Sequence, residues 1–165
     1  MKPEATQEPK CAMAFEETIA APPERVFAAL TNVEAMREWM PGFAGVELVT
    51  PGPFGKGTQF RESRKMMGHT ATELFEVTVH EPPRTLEYFI DGTKGSSKCG
   101  WYRFRYELTP KDGGTLMSVS GQIGGTTGCM SVFGKLMLGP MKKAIAKDHA
   151  ALKAWIERQG DASSA

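Results

Sequence analysis

Apolar and polar positions alternate through the middle of the chain, and a helical period takes over at its end. Met13-Ala-Phe-Glu-Glu-Thr-Ile19 alternates and predicts a first strand. Pro22-Pro23 then stops strand pairing and pre-sets a helical first turn, so a short helix is expected with Val26, Phe27 and Leu30 on its buried side. Thr31-Asn32 is a capping pair for a second short helix, Val33 to Met40, which Pro41-Gly42 ends. Strand-like runs follow near 43–50, 58–66, 70–80, 84–91, 99–109 and 115–124. Turn residues such as Pro51-Gly52-Pro53, Pro82-Pro83, Asp91-Gly92 and Asp112-Gly113-Gly114 divide them, and such short connections imply antiparallel neighbours. From about Gly128 to Arg158, Met130, Phe133, Met137, Met141, Ile145, Leu152 and Trp155 recur at helical spacing and predict one long amphipathic helix. Lys135, Lys142, Lys143, Lys147 and Lys153 occupy much of its other face, and Gly139-Pro140 predicts a kink. A curved sheet wrapped around such a helix leaves a hollow between them.

Strand parity names the side chains that face this hollow, because neighbours two apart share a face. Tyr102, Phe104, Tyr106 and Leu108 make the apolar face of one strand, opposed by Trp101, Arg103, Arg105 and Glu107 on the other. Pairing Leu108 with Met117 sets Tyr106 against Val119, Phe104 against Gly121 and Tyr102 against Ile123, and Gly121 is expected to leave space beside Phe104. A two-residue turn at Met67-Gly68 pairs Phe60 with Phe75, Glu62 with Glu73 and Arg64 with Ala71. Glu62, Arg64 and Glu73 then point into the same space as the aromatic wall, as a polar handle, a proton-transfer group, or a wet, inert salt-bridged cluster at the open end of the sheet.

Composition narrows the classes. One domain fits 165 residues, with the folded unit at about 11–160 and disordered tails at 1–10 and 161–165. Twenty Lys+Arg against nineteen Asp+Glu leave a net charge of +1, which argues against nucleic acid and against anionic lipid surfaces. No run of eighteen apolar residues and no secretory leader is apparent, so stable membrane insertion is not expected. Cys11, Cys99 and Cys129 are odd in number and far apart, which fits reduced thiols in a cytoplasmic setting.

The order strand, two short helices, six strands, long helix resembles the helix-grip fold of the START-like, or SRPBCC, superfamily, an α+β architecture. Ile19-Ala-Ala-Pro-Pro-Glu-Arg-Val-Phe27, Trp39-Met-Pro-Gly42, Gly55-Lys-Gly-Thr58, Val77-Thr-Val-His-Glu-Pro-Pro-Arg84 and Leu108-Thr-Pro followed by Gly114-Thr115 look like its polyketide cyclase/dehydrase and lipid-transport branch. That resemblance implies a curved seven-stranded antiparallel sheet around a long C-terminal helix, with a cavity for lipids, sterols or polyketides. It also implies that the central part of the final helix borders the cavity. The candidate ligand-binding residues are therefore Phe60, Glu62, Arg64, Glu73, Phe75, Tyr88, Tyr102, Phe104, Tyr106, Met130, Phe133, Met137 and Met141.

Other motifs carry less. The loop Gly121-Gln-Ile-Gly-Gly-Thr-Thr-Gly128 mimics a phosphate cradle but lacks the glycine spacing of one. His69, His80 and His149 share no ligand spacing, so no metal or other cofactor is expected. His80 falls on the outward parity of its strand, His149 on a solvent-facing side of the helix, and Asp148 at the stripe's edge beside a neighbouring Lys or Arg. Trp39 is expected to anchor its helix. The leading expectation is an intracellular binding protein for a small hydrophobic molecule, with catalytic residues and oligomeric state left open. Two alternatives stand beside it: a cofactor-independent cyclase or dehydratase using Glu62 or Glu73 with Arg64, and a protein-interaction module like the chaperone-ATPase activators, using the outer face at Trp101, Arg103 and Arg105.

Overall fold

The computed structural model describes residues 11–66, 68–98, 100–125 and 129–162, with side chains for all of these except 11, 12, 66, 129–138, 161 and 162. Strand β1 (Cys11–Ile19) is followed by helix α1 (Pro23–Thr31), a single 3-10 turn (Val33–Ala35) and helix α2 (Met36–Trp39). Six strands come next, β2 (Phe43–Leu48), β3 (Gln59–Met66), β4 (His69–Glu81), β5 (Thr85–Asp91), β6 (Trp101–Lys111) and β7 (Gly114–Gly124), and helix α3 (Cys129–Ala162) closes the chain. Pro23 opens α1 as expected, and the Asn32 side chain accepts from Ala35 N at 3.2 Å to start the next turn. Helix α3 continues through Pro140 as one element and takes in Asp161 and Ala162, which composition alone assigns to a tail.

All seven strands form one curved antiparallel sheet in the order β1-β7-β6-β5-β4-β3-β2. This is the helix-grip arrangement. The register expected from parity holds: Phe60 opposes Phe75, Glu62 opposes Glu73, and Tyr106 opposes Val119. Two bulges interrupt it, between Phe43 and Gly45 in β2 and between Val77 and Val79 in β4. The second resets parity, so His80 faces Leu86 and turns inward, its ring 5.3 Å from that of Phe27. The outward placement expected for His80 is thereby corrected.

Burial along the inner face is uneven. At one end Ile19, Phe27, Leu30, Leu86, Leu108, Met117, Leu152 and Ile156 pack into a continuous buried core beneath α1 and the last turns of α3. Toward the other end, where β4, β6 and β7 carry Phe75, Phe104, Tyr102 and Ile123, the same face is only half-buried. The charged residues of the wall sit where one regime gives way to the other.

Candidate functional site

Strand β3 carries Phe60, Glu62 and Arg64 to the inner face, and α3 lowers Asp148 onto them. Arg64 Nε donates to Glu62 Oε1, and Arg64 Nη1 donates to Asp148 Oδ2 at 2.5 Å, joining residues 84 positions apart. The side chains of Glu62, Asp148 and Arg64 are 5%, 15% and 24% exposed, so the cluster is mostly withdrawn from water yet reachable. Burial raises the Glu62 carboxyl above its ordinary range, and the Arg64 charge only partly offsets this. Asp148 is raised for the same reason and opposed by the same partner. Burial by itself would lower Arg64, but Glu62 and Asp148 together outweigh that and raise it. A guanidinium that holds its proton thus links two carboxyls that ionise less readily than free ones.

Around this cluster stands an aromatic wall. Phe60 stacks on Phe75 with centroids 5.0 Å apart and 14° between planes, and Tyr88 meets them edge-on at 5.8 and 6.0 Å. Tyr106 continues the wall, 6.2 Å from Tyr88. The Tyr88 hydroxyl is already committed, donating to Leu30 O at 2.8 Å, where it satisfies a carbonyl in the last turn of α1. Tyr106 is raised by burial first and then by the negative charge of Asp148 and Glu62, so both phenols stay protonated. His149 packs its ring edge-on against Phe15 at 5.4 Å and Tyr106 at 5.9 Å. Burial lowers it to about 4, so this imidazole is neutral.

Several expectations are revised by this geometry. Glu73 does not join Arg64. Strand β5 ends at Asp91, and the segment after it takes its place beside β4, with Ser96 N donating to Thr72 O at 2.8 Å. Ser97 N and Oγ then both donate to Glu73 Oε1, at 2.8 and 2.7 Å, while Gly95 packs against the other carboxylate oxygen. Asp148 holds Arg64 instead, across the fold, and not a Lys or Arg of its own neighbourhood. His149 is 6% exposed rather than solvent-facing. Its position was legible after all, since 145, 149, 152 and 156 continue one helical stripe. Gly121 leaves no open space, because Met13 and Phe104 already occupy it. Tyr102, Phe104 and Met141 are half-buried, and Trp39 packs against the core. Met130, Phe133 and Met137 lie outside the described side chains, as do Cys11 and Cys129, and Cys99 lies outside the described residues.

A family model described as polyketide cyclase / dehydrase and lipid transport matches residues 10–157. The chain belongs to that family. Among solved structures, this family member is similar to the Zhui aromatase/cyclase from Streptomyces sp. R1128, at 16% identity and a TM-score of 0.75, covering 90% of this chain and 94% of that one. It is similar to a START superfamily protein from Mycobacterium smegmatis at 17% identity and a TM-score of 0.68, covering 90% and 98%. TTHA0849 from Thermus thermophilus shares 21% identity at a TM-score of 0.70, covering 94% and 100%. At these identities the likeness establishes the shared helix-grip fold. No match was found among curated proteins.

Elsewhere the family member offers less apolar ground. On the outer face Arg103 lies 5.5 Å from the Trp101 ring and 5.9 Å from Phe89, and Glu87 faces both Arg103 and Arg105 at 3.6 and 3.4 Å. An open cleft of about 320 Å³ at the far end of the sheet is lined by Lys111, Asp112, Lys153 and Glu157 among others. Its charged groups are partly spent, Lys153 on Glu17 at 3.1 Å and Glu157 on the Ala20 amide at 2.8 Å. Among the described residues no helix is long and apolar enough to cross a membrane, and no group of three His, Cys, Asp or Glu side chains stands where it could hold a metal ion.

Proposed function

We propose that this protein is an intracellular binding protein for a small, largely apolar molecule, held against the aromatic inner face with its polar group at Glu62, Arg64 and Asp148. The observation that carries this reading is a mostly buried, hydrogen-bonded charge cluster set in an otherwise aromatic wall, where the inner face changes from closed to half-open. Apolar side chains in place of such a cluster are often neutral or stabilising, so its presence in the wall favours a role beyond packing. Family membership supports the same class of ligand. A molecule that withdraws about 200 Å² of apolar surface gains on the order of 5 kcal/mol from burial, before the cost of association is subtracted.

Native mass spectrometry of freshly purified protein, with organic extraction of whatever co-purifies, tests the proposal. A discrete lipid, sterol or aromatic adduct, lost in Glu62→Gln and Arg64→Ala, is the expected result. Protein that is empty and gains no thermal stability from a panel of apolar compounds would sink it and favour a protein partner at the outer face.

A second reading, a cofactor-independent cyclase or dehydratase, is favoured by one observation. Burial raises both Glu62 and Asp148, the direction a carboxyl needs to exchange protons near neutral pH. Turnover of a polyketide-like substrate with a pH–rate limb that disappears in Glu62→Gln or Asp148→Asn distinguishes this from binding alone.

A further inference from the structure

Building on the binding reading, we propose that the inner site selects ligands whose polar group is a hydroxyl, a phenol or a protonated amine, and rejects carboxylates such as fatty acids. The balance of charges and donors decides this. Arg64 is the cation that the described side chains bring to the aromatic wall, and two of its donor nitrogens are already committed, Nε to Glu62 and Nη1 to Asp148. An incoming carboxylate could take only the remaining N–H groups of Arg64, on a guanidinium that already serves two acids, each held at the same spot by its own strand or helix. With both acids ionised the cluster carries a net charge of −1; with one protonated it is neutral. In neither state is it positive.

Among the described residues Lys147 adds positive charge near Asp148, as the smallest of the influences on that carboxyl. Lys147, beside Asp148, is exposed, Lys153 is held by Glu17 at 3.1 Å, and Arg25 donates to Ile156 O at 2.8 Å. His149 is neutral. The Tyr88 hydroxyl, on the closed side, is spent on Leu30. The Tyr106 hydroxyl stays protonated nearby and can donate or accept, and each carboxyl has a second oxygen, beyond the one on Arg64, that can accept from a ligand. A cluster whose net charge is −1 or zero favours a neutral donor or a cation over a group that brings a further negative charge. An ammonium would gain in addition from the half-buried faces of Phe104 and Tyr106.

Three probes with one ring system separate the outcomes: 2-naphthol, 2-naphthylmethylamine and 2-naphthoate, titrated calorimetrically into the full chain at about pH 7.5. The naphthol and the amine should bind at least tenfold tighter than the naphthoate. In Glu62→Gln/Asp148→Asn, which leaves Arg64 unopposed, the naphthoate should gain at least tenfold and the amine should lose. Equal or tighter naphthoate binding by the unsubstituted protein overturns the inference while leaving the binding reading intact. Binding of none of the three overturns both. The ranking in the unsubstituted protein decides the matter even if the double variant does not fold.

Discussion

At the scale of single residues, the site depends on one guanidinium satisfying two acids. Arg64→Ala leaves Glu62 and Asp148 facing each other without a counter-charge in a poorly solvated place. Breaking a fully buried pair costs about 3–5 kcal/mol; with the Arg64 side chain 24% exposed, a loss on the order of 2 kcal/mol is expected. Urea unfolding at about pH 7.5 measures it, and an unchanged midpoint would show that the cluster is solvated well enough to be of little consequence. Half of this cluster was legible in the sequence. Glu62 and Arg64 are two apart on a strand whose inward parity Phe60 announces, and a two-residue turn sets the register. Asp148 was not legible as their partner, because nothing local says which turn of α3 lies over which strand. Glu73 shows the converse: its inward parity was right, but the segment after β5 took its carboxylate first.

At the scale of elements, bulges and glycines decide where parity can be trusted. An uninterrupted ladder carries the alternation from Trp101 to Lys111 and across to β7, so Tyr102, Phe104 and Tyr106 sit as their spacing predicts. The β4 bulge breaks that logic for His80. Gly121 is a different case, for its opposite partner was predicted and its surroundings were not. A Cβ there would meet Met13 Cγ at 2.6 Å and Phe104 Cε1 at 3.0 Å, so β1 and β6 side chains close over the glycine from both sides. Gly121→Ala should therefore destabilise by about 1–2 kcal/mol through overpacking. Pairing it with Met13→Ala should recover part of that loss. A double-mutant cycle on thermal unfolding reads the coupling, and strict additivity would mean that Met13 is not what resists the added methyl.

At the scale of the whole molecule, His149 ties stability to pH. The unfolded chain takes up a proton on this imidazole near 6.5, whereas the folded chain resists it down to about 4. Between those values the unfolded state holds more protons, so the His149 contribution is fully present above pH 6.5 and is lost as the pH falls toward 4. Glu62 and Asp148 act in the opposite sense, since their raised folded values make them withdraw stability as the pH rises through the carboxyl range. His149→Phe keeps ring contacts with Phe15 and Tyr106 and removes only the imidazole's share. The stability difference, unsubstituted protein minus variant, should shrink by about 2.5 kcal/mol between about pH 7.5 and about pH 4.5. Parallel pH profiles from urea titrations would show that His149 is solvated in the folded state.

The sequence by itself determined which elements form, their order, the antiparallel register of the long hairpins and the apolar faces of β3, β6 and β7. These follow from spacing, proline and turn chemistry, all of which act over a few residues. Only the tertiary structure decided which helical residue meets Arg64, that Glu73 belongs to the segment following β5, and how Gly121 is covered. Those outcomes depend on how far α3 slides along the sheet and where a bulge shifts it. Both are settled by packing between segments distant in sequence, which no local pattern encodes.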